Sequence, residues 1–192
     1  MNRSRWIMLA FLATFIIPFL FGHLAYKSSW FEGAATNKGD LLDPPQALSD
    51  LLWQPLPGST PAPAGHWWLT YYLPATCDLA CEQGLDALVR LRIGMGRDRE
   101  RVGILLLQEQ AGDVPAVAAK VPVLARGVVD AAAMKQFKQQ FATAEANHWL
   151  LMDPMGWIML SYEVPSAPDA LLLRAQDLID DLMKLLKVSQ IG

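Results

Sequence analysis

An α/β sandwich built on a mixed sheet, with one membrane-spanning helix ahead of it, is the fold class this sequence predicts. Three observations predict it. Trp6 to Tyr26 is apolar and free of charged residues, long enough for a helix to cross a hydrocarbon core of roughly 30 Å. Two continuous apolar runs of strand length, residues 66–73 and 102–107, flank a segment of helical periodicity, the order that yields a parallel strand pair with a right-handed crossover. Further on, two β-prone runs flank Asp153-Pro154-Met155-Gly156, a turn that makes them an antiparallel hairpin.

The apolar N-terminal run is read as an uncleaved anchor. It is longer than the roughly 7–15 residues of a signal-peptide core, and the small residues Ala34 and Ala35 come late for a cleavage site. Arg3 and Arg5 precede it and only Lys27 follows closely, so the positive-inside bias puts the N-terminus in the cytoplasm and the rest of the chain outside it. Residues 1–27 are thus the cytoplasmic N-terminus and anchor, 28–65 a Pro/Gly-rich tether and lead-in, and 66–192 one domain with one core. A formal net charge of -3 supplies no basic face for phosphates, which excludes nucleic acid as a partner.

In the lead-in, the prolines and glycines break any long helix or central strand, yet Leu41-Leu42 and Leu51-Leu52-Trp53 carry enough apolar weight to pack on the domain. His66 to Leu73 (HWWLTYYL) reads as a buried strand that stops at Pro74. After Asp78, Leu85, Leu88, Leu91 and Met95 recur at helical spacing until Gly94 and Gly96 end the pattern. Arg97-Asp98-Arg99-Glu100-Arg101 alternates in sign and reads as a solvated turn. Val102 to Leu107 is the second buried strand. Asp130 is a suitable N-cap for a helix with Met134, Phe137 and Phe141 on one face. After the hairpin, Ser166-Ala167-Pro168-Asp169 has the look of a capping box, and Leu171, Ala175, Leu178, Leu182 and Leu185 define a closing amphipathic helix.

The composite order, a ββ-like lead-in followed by β-α-β-α-β-β-α with two cysteines where a strand meets its helix, is that of a thioredoxin-like three-layer sandwich. Cys77 and Cys81 are the sole cysteines, and one helical turn brings their sulfurs to the same side. Free N–H groups and the dipole at a helix N-terminus favour thiolate over thiol, which assists both disulfide exchange and metal ligation. A structural disulfide is the plainer alternative outside the cytoplasm, although closing so short a loop constrains the unfolded chain little.

Trp68-Leu69-Thr70-Tyr71-Tyr72-Leu73-Pro74-Ala75-Thr76-Cys77-Asp78-Leu79-Ala80-Cys81, followed by the Asp153-Pro154-Met155-Gly156 hairpin, resembles the Sco family of copper-handling, thioredoxin-like assembly factors of cytochrome c oxidase. Within that family it is most similar to the membrane-bound Sco-like proteins of bacteria, over roughly residues 40 to 187. The resemblance implies Cu(I) bound by Cys77 and Cys81, a soft ion suited to thiolates. It also implies a third ligand, a histidine upstream of the hairpin, for which His148 is the nearest candidate. It implies a partner among cytochrome oxidase subunits or assembly factors, and a single-pass protein of the bacterial inner membrane with a periplasmic domain. The loop carries Asp78-Leu79-Ala80 where Sco loops usually hold a proline.

Two other readings stay open. A thioredoxin-type oxidoreductase would use Cys77 and Cys81 as its redox pair, although that class has the shorter C-x-x-C and a cis-proline before the hairpin, where this chain has Ala146-Asn147-His148. A non-enzymatic membrane assembly factor with a structural disulfide would use Trp30, Phe31 and Trp53 as contact surface. His66 lies at the far end of its strand from the cysteines, and Met152, Met155 and Met159 read as core or gap-filling residues.

Overall fold

The computed structural model describes residues 3–27, 36–62, 65–74, 76–112, 115–141 and 147–189; Trp30, Phe31 and Ala146 lie outside them. The chain divides into two compact units, Met1–Thr36 and Asn37–Gly192. The first holds helix α1, Arg3–Lys27, in which Trp6–Ala25 is long and apolar enough to cross a membrane.

The second unit is a seven-stranded mixed sheet. Its centre is β3, Trp67–Tyr72, all six residues of which are buried, as expected of a strand covered on both faces. Helix α2, Leu79–Gly94, carries the chain to β4, Val102–Gln108, which is equally buried and pairs with β3 in parallel from Trp67↔Val102 to Tyr72↔Leu107. Gly103 is required where the two strands cross the core, because a Cβ there would strike the ring of Trp68. The alternating run between α2 and β4 forms a 3-10 turn, Gly96–Arg101, with no buried residue, in keeping with its charge pattern.

A further strand, β5 (Leu124–Val128), pairs in parallel with β4 and was not foreseen. The sequence Leu-Ala-Arg-Gly-Val is short and carries an arginine, and its crossover contains only a 3-10 turn, Ala116–Lys120, in place of a helix. Helix α3, Ala131–Gln140, starts on Asp130, whose carboxylate accepts the N–H groups of Ala132 and Ala133. Met134, Phe137 and the terminating Phe141 are buried from it. Then β6 (His148–Met152) and β7 (Trp157–Glu163) form the expected hairpin, and α4 spans Pro168–Val188. The expected capping box is absent: Pro168, favoured at the first helical position, makes Ala167 the N-cap, and its methyl group has no acceptor for the N–H groups of the first turn.

The lead-in is woven into the sheet edges. Asp40–Ala47, strand β1, pairs antiparallel with β7, and Gln54–Pro55, strand β2, with β5, so the order is β1-β7-β6-β3-β4-β5-β2. Pro44 and Pro45 are tolerated because an edge strand need not donate every N–H, and the register of β1 shifts around them, between Leu41 and Gln46. One face of the sheet is covered by α2 and α4, whose core includes Leu85, Leu88, Trp149, Leu178 and Leu182. The other is covered by α3 and a 3-10 turn, Leu48–Leu51, around Leu42, Leu51, Trp68, Leu105 and Phe137. This is the three-layer sandwich expected.

Candidate functional site

Strand β3 ends at Tyr72, and the chain reaches Cys77 and Asp78 before α2 begins. Asp78 is the N-cap: its carboxylate accepts the N–H of Cys81 at 2.9 Å, filling one of the open donors of the first turn. Cys77 and Cys81 are joined as a disulfide with their Cα atoms 5.2 Å apart. Their environments differ. Cys81 is 1% exposed in the core between sheet and α2, whereas Cys77 is half-buried at its margin.

Cys77 borders a cleft of about 440 Å³ whose other walls are Tyr72, Leu73, Pro74, the segment Gln108 to Gly112, and Lys138. The cleft lies beyond the C-terminal ends of the parallel strands β3 and β4, where open α/β sheets place their ligands. Within it the Tyr72 hydroxyl donates to Glu109, and the Lys138 ammonium donates to the same hydroxyl at 2.9 Å and to Glu109 at 3.2 Å. Lys138 also lies 4.7 Å from the centroid of the Tyr72 ring, a cation–π contact. The Tyr72 hydroxyl bond, then the Lys138 ammonium, hold the Glu109 carboxyl below its ordinary value. Burial, then the Glu109 carboxylate, pushes the Tyr72 phenol upward, so it stays a neutral donor.

On the other face, Tyr71 ties the cysteine helix to the hairpin. Its hydroxyl donates to the Asn147 side-chain oxygen and lies 3.5 Å from the Cys81 carbonyl oxygen. Burial, then the nearby Asp78 charge, raises its pKa. Asn147 adopts φ 69°, a left-handed conformation that asparagine accepts more readily than most residues. It donates its side-chain amide to Val164 O at 3.1 Å and its main-chain N–H to Tyr72 O at 3.2 Å.

His148 opens β6 directly opposite Tyr72, at the cysteine end of the sheet. Alternation along β6 sends Trp149 and Leu151 into the core shared with Cys81, and Leu150 and Met152 into the opposite core. His148 has the parity of the second pair. Its Nδ1 is buried and without a hydrogen-bond partner among the described residues. The structure therefore brings Cys77 and Cys81 together and sets His148 at the same end, on the face opposite Cys81 and shared with Tyr72, which walls the cleft beside Cys77. Among the described residues no three His, Cys, Asp or Glu side chains gather as a metal site. His66 stacks edge-on against Trp68, 6.1 Å between ring centres, and Met152 is buried, Met159 half-buried and Met155 exposed.

Sequence reasoning missed the Tyr72, Glu109 and Lys138 cluster, whose members come from β3, the loop after β4 and α3, and have no local spacing to betray them. Asn147 carried a usable cue, a left-handed-tolerant residue directly before a strand.

A strand, a dithiol loop and a capped helix, followed by a helix and an antiparallel hairpin in one mixed sheet, define a thioredoxin-fold dithiol protein. The chain belongs to the family described as transmembrane-like, thioredoxin-like, C-terminal domain, whose model matches residues 67–189. Comparison with curated proteins gives no match. Solved structures similar to it include apo Sco1 from Thermus thermophilus, at 18% identity and TM-score 0.49 over 78% of this chain and 97% of that one. Copper-bound yeast Sco1 matches at 17% identity and TM-score 0.45, covering 65% and 80%. The thioredoxin domain of a thiol-disulfide oxidoreductase from Bacteroides vulgatus matches at 14% and 0.43, covering 77% and 90%. The fold assignment rests on the family model and the strand order.

Proposed function

We propose that this chain is a membrane-tethered, Sco-like thiol protein of the bacterial inner membrane, with a cytoplasmic N-terminus and periplasmic domain, that supports copper-centre assembly in cytochrome c oxidase by reducing partner cysteines. The observation that carries the chemistry is the unequal exposure of a bonded pair: Cys77 borders the cleft and Cys81 is sealed in the core. The assembly role is supported by the Sco-like run from Trp68 to Cys81.

In the reduced protein, the Cys77 thiolate attacks one sulfur of a partner disulfide, forming a mixed disulfide and releasing the partner's other sulfur as thiolate. The Cys81 thiolate then attacks Cys77 Sγ, releasing the partner's second thiolate and closing the bond between Cys77 and Cys81. Two electrons pass to the partner, and a dithiol donor restores the pair by the reverse exchange. Cys77 is the attacking group because an incoming sulfur reaches it from the cleft. Asp78 holds Cys81 in the first turn of α2, ready to resolve.

Delivery of Cu(I) as cargo on the same two thiolates is the second reading, favoured by the C-x-x-x-C spacing and the unpartnered Nδ1 of His148. Two soft sulfurs suit Cu(I); His148, the third-ligand candidate, lies opposite Tyr72, whose side chain walls the cleft that Cys77 borders.

Equilibration of the full-length protein in detergent against glutathione buffers is the first test. A potential above roughly -300 mV supports exchange, and resistance to reduction there makes the pair a structural staple and removes the reading. Anaerobic Cu(I) titration of the reduced protein tests the second. One tight site lost in Cys77→Ser and in Cys81→Ser, and weakened in His148→Ala, is the pattern it requires. If the double Cys→Ser variant still supports oxidase assembly, the protein acts as a non-enzymatic assembly factor.

A further inference from the structure

We propose that the cleft beside Cys77 takes an extended polypeptide segment carrying the partner cysteine, and that Gln108 Oε1 is a specificity-determining acceptor for one of its main-chain N–H groups. The inference deepens the thiol-exchange reading and rests on it.

Gln108 ends β4 and is 8% exposed. Its main-chain carbonyl already accepts the N–H of Val129 at 2.8 Å. Its side-chain Oε1 is buried and has no partner among the described residues, and the residue itself lines the cleft. Buried acceptors without a donor are uncommon in folded proteins, because leaving one unmet costs free energy that water or a partner would recover. Where the side chain that carries such an atom lines a cleft next to a reactive sulfur, a small turn of that side chain offers the acceptor to whatever enters.

The chemistry of the walls selects the kind of donor. Lys138 is the one cation among the residues lining the cleft, and its ammonium is committed to Glu109 and the Tyr72 hydroxyl. An acidic small thiol, with carboxylates to neutralise, therefore finds no free positive charge. The groups that remain are the neutral side-chain amides of Gln108 and Gln110 and the apolar surface of Leu73 and Pro74, which suit an uncharged, extended main chain. A peptide backbone supplies an N–H at each residue, with its side chains directed alternately away from the floor.

The test uses the full-length Cys81→Ser protein in detergent, so that the mixed disulfide on Cys77 persists. The probes carry cysteine activated by thionitrobenzoate, whose release reports attack on the cysteine sulfur. One probe is a neutral peptide of Ala and Ser with a central activated cysteine. A second is the same peptide with N-methyl groups on the residues flanking the cysteine. A third is the activated single residue, blocked as its N-acetyl-N-methyl methyl ester so that it carries no main-chain N–H. The expected result is reaction with the peptide about fivefold faster than with the N-methylated peptide or the single residue, the size of one hydrogen bond. Gln108→Leu should abolish that preference while leaving the single-residue rate unchanged, and Gln108→Glu, which keeps an acceptor, should retain it. An equal loss on all three probes would mean that Gln108 only shapes Cys77, and would overturn the proposal. So would an unchanged preference in Gln108→Leu, or no preference in the parent. No reaction with any probe would instead sink the thiol-exchange reading beneath it.

Discussion

Asp153 at the hairpin turn and Gln108 beside the cysteine loop, two buried polar side chains of one sheet, are served in opposite ways. At the hairpin end, Asp153 is 8% exposed and its carboxylate accepts the N–H groups of Met155 at 2.9 Å and Trp157 at 2.8 Å. Its main-chain carbonyl takes the N–H of Gly156 at 3.1 Å, with Gly156 at φ 95° closing the turn. At the cysteine end, Gln108 Oε1 and His148 Nδ1 are buried without partners among the described residues, and Cys77 faces a cleft. The first arrangement serves the fold, since each local bond removes the desolvation penalty of a buried group. The second leaves a buried acceptor of Gln108 unmet beside a cleft that reaches the Cys77–Cys81 bond. Substitutions at the closed end should cost stability and spare reactivity; those at the open end should do the reverse.

Cys77→Ser should show the largest effect. Disulfide exchange should vanish altogether, while stability falls by about 2 kcal/mol or less, because the bridge closes a very short loop. Exchange kinetics and urea unfolding of the same sample check both halves, and a stability loss far above that figure would make the cysteine end structural after all. Asp153→Ala comes next. Two part-buried N–H groups lose their acceptor, so unfolding should become easier by about 1–2 kcal/mol, with the exchange rate of the surviving folded protein unchanged. A slowed rate would break the division between the ends.

Asp181 sharpens the comparison as a second closed carboxylate, on α4. It accepts from the main-chain N–H groups of Lys38 at 2.6 Å and Gly39 at 3.1 Å and from the Tyr162 hydroxyl at 3.0 Å, with Lys184 at 3.0 Å. Burial alone pushes its pKa up, but the Lys38 N–H, Lys184, the Gly39 N–H and the Tyr162 hydroxyl together bring it below the ordinary carboxylate value. A depressed folded-state pKa contributes stability that is full above the unfolded value of about 3.9 and is lost as pH falls through the lower folded one. Asp181→Asn should therefore flatten the acid limb of a stability profile measured from about pH 6 to about pH 2, with exchange at neutral pH unaffected. An acid limb of undiminished slope would mean that Asp181 does not carry this linkage. The smallest effect belongs to Asp78→Ala, which removes the cap from Cys81 N–H and should cost about 1 kcal/mol. Because that N–H then becomes free beside the sulfurs, the exchange rate should change too, and a rate identical to the parent would place Asp78 with the purely structural carboxylates.

How far the sequence could be read follows the range of the interaction involved. The β3-α2-β4 unit, the Asp130 cap, the hairpin and the α4 face rest on contacts within a few residues or on strict periodicity, and each appears in the structure. Strand β5 eluded the reading because Leu124–Val128 is a strand only by virtue of its neighbours β4 and β2. The Ser166 cap failed because α4 begins at Pro168, which puts Ala167 at the N-cap and Ser166 one residue too early. The two cysteines were legible as a pair, since four residues of separation fix them on one turn.

What the sequence by itself determined is the chemistry available: an apolar N-terminal helix long enough to cross a membrane, two cysteines at a strand-to-helix junction, and a histidine ahead of a hairpin. The tertiary structure alone decided which of these face one another. Strand alternation put His148 on the face opposite Cys81, and the meeting of β3, the loop after β4 and α3 built the cleft of Tyr72, Gln108, Glu109 and Lys138 around Cys77. Side-chain direction across a sheet depends on register, and a cleft on elements distant in sequence, so neither is written in local spacing.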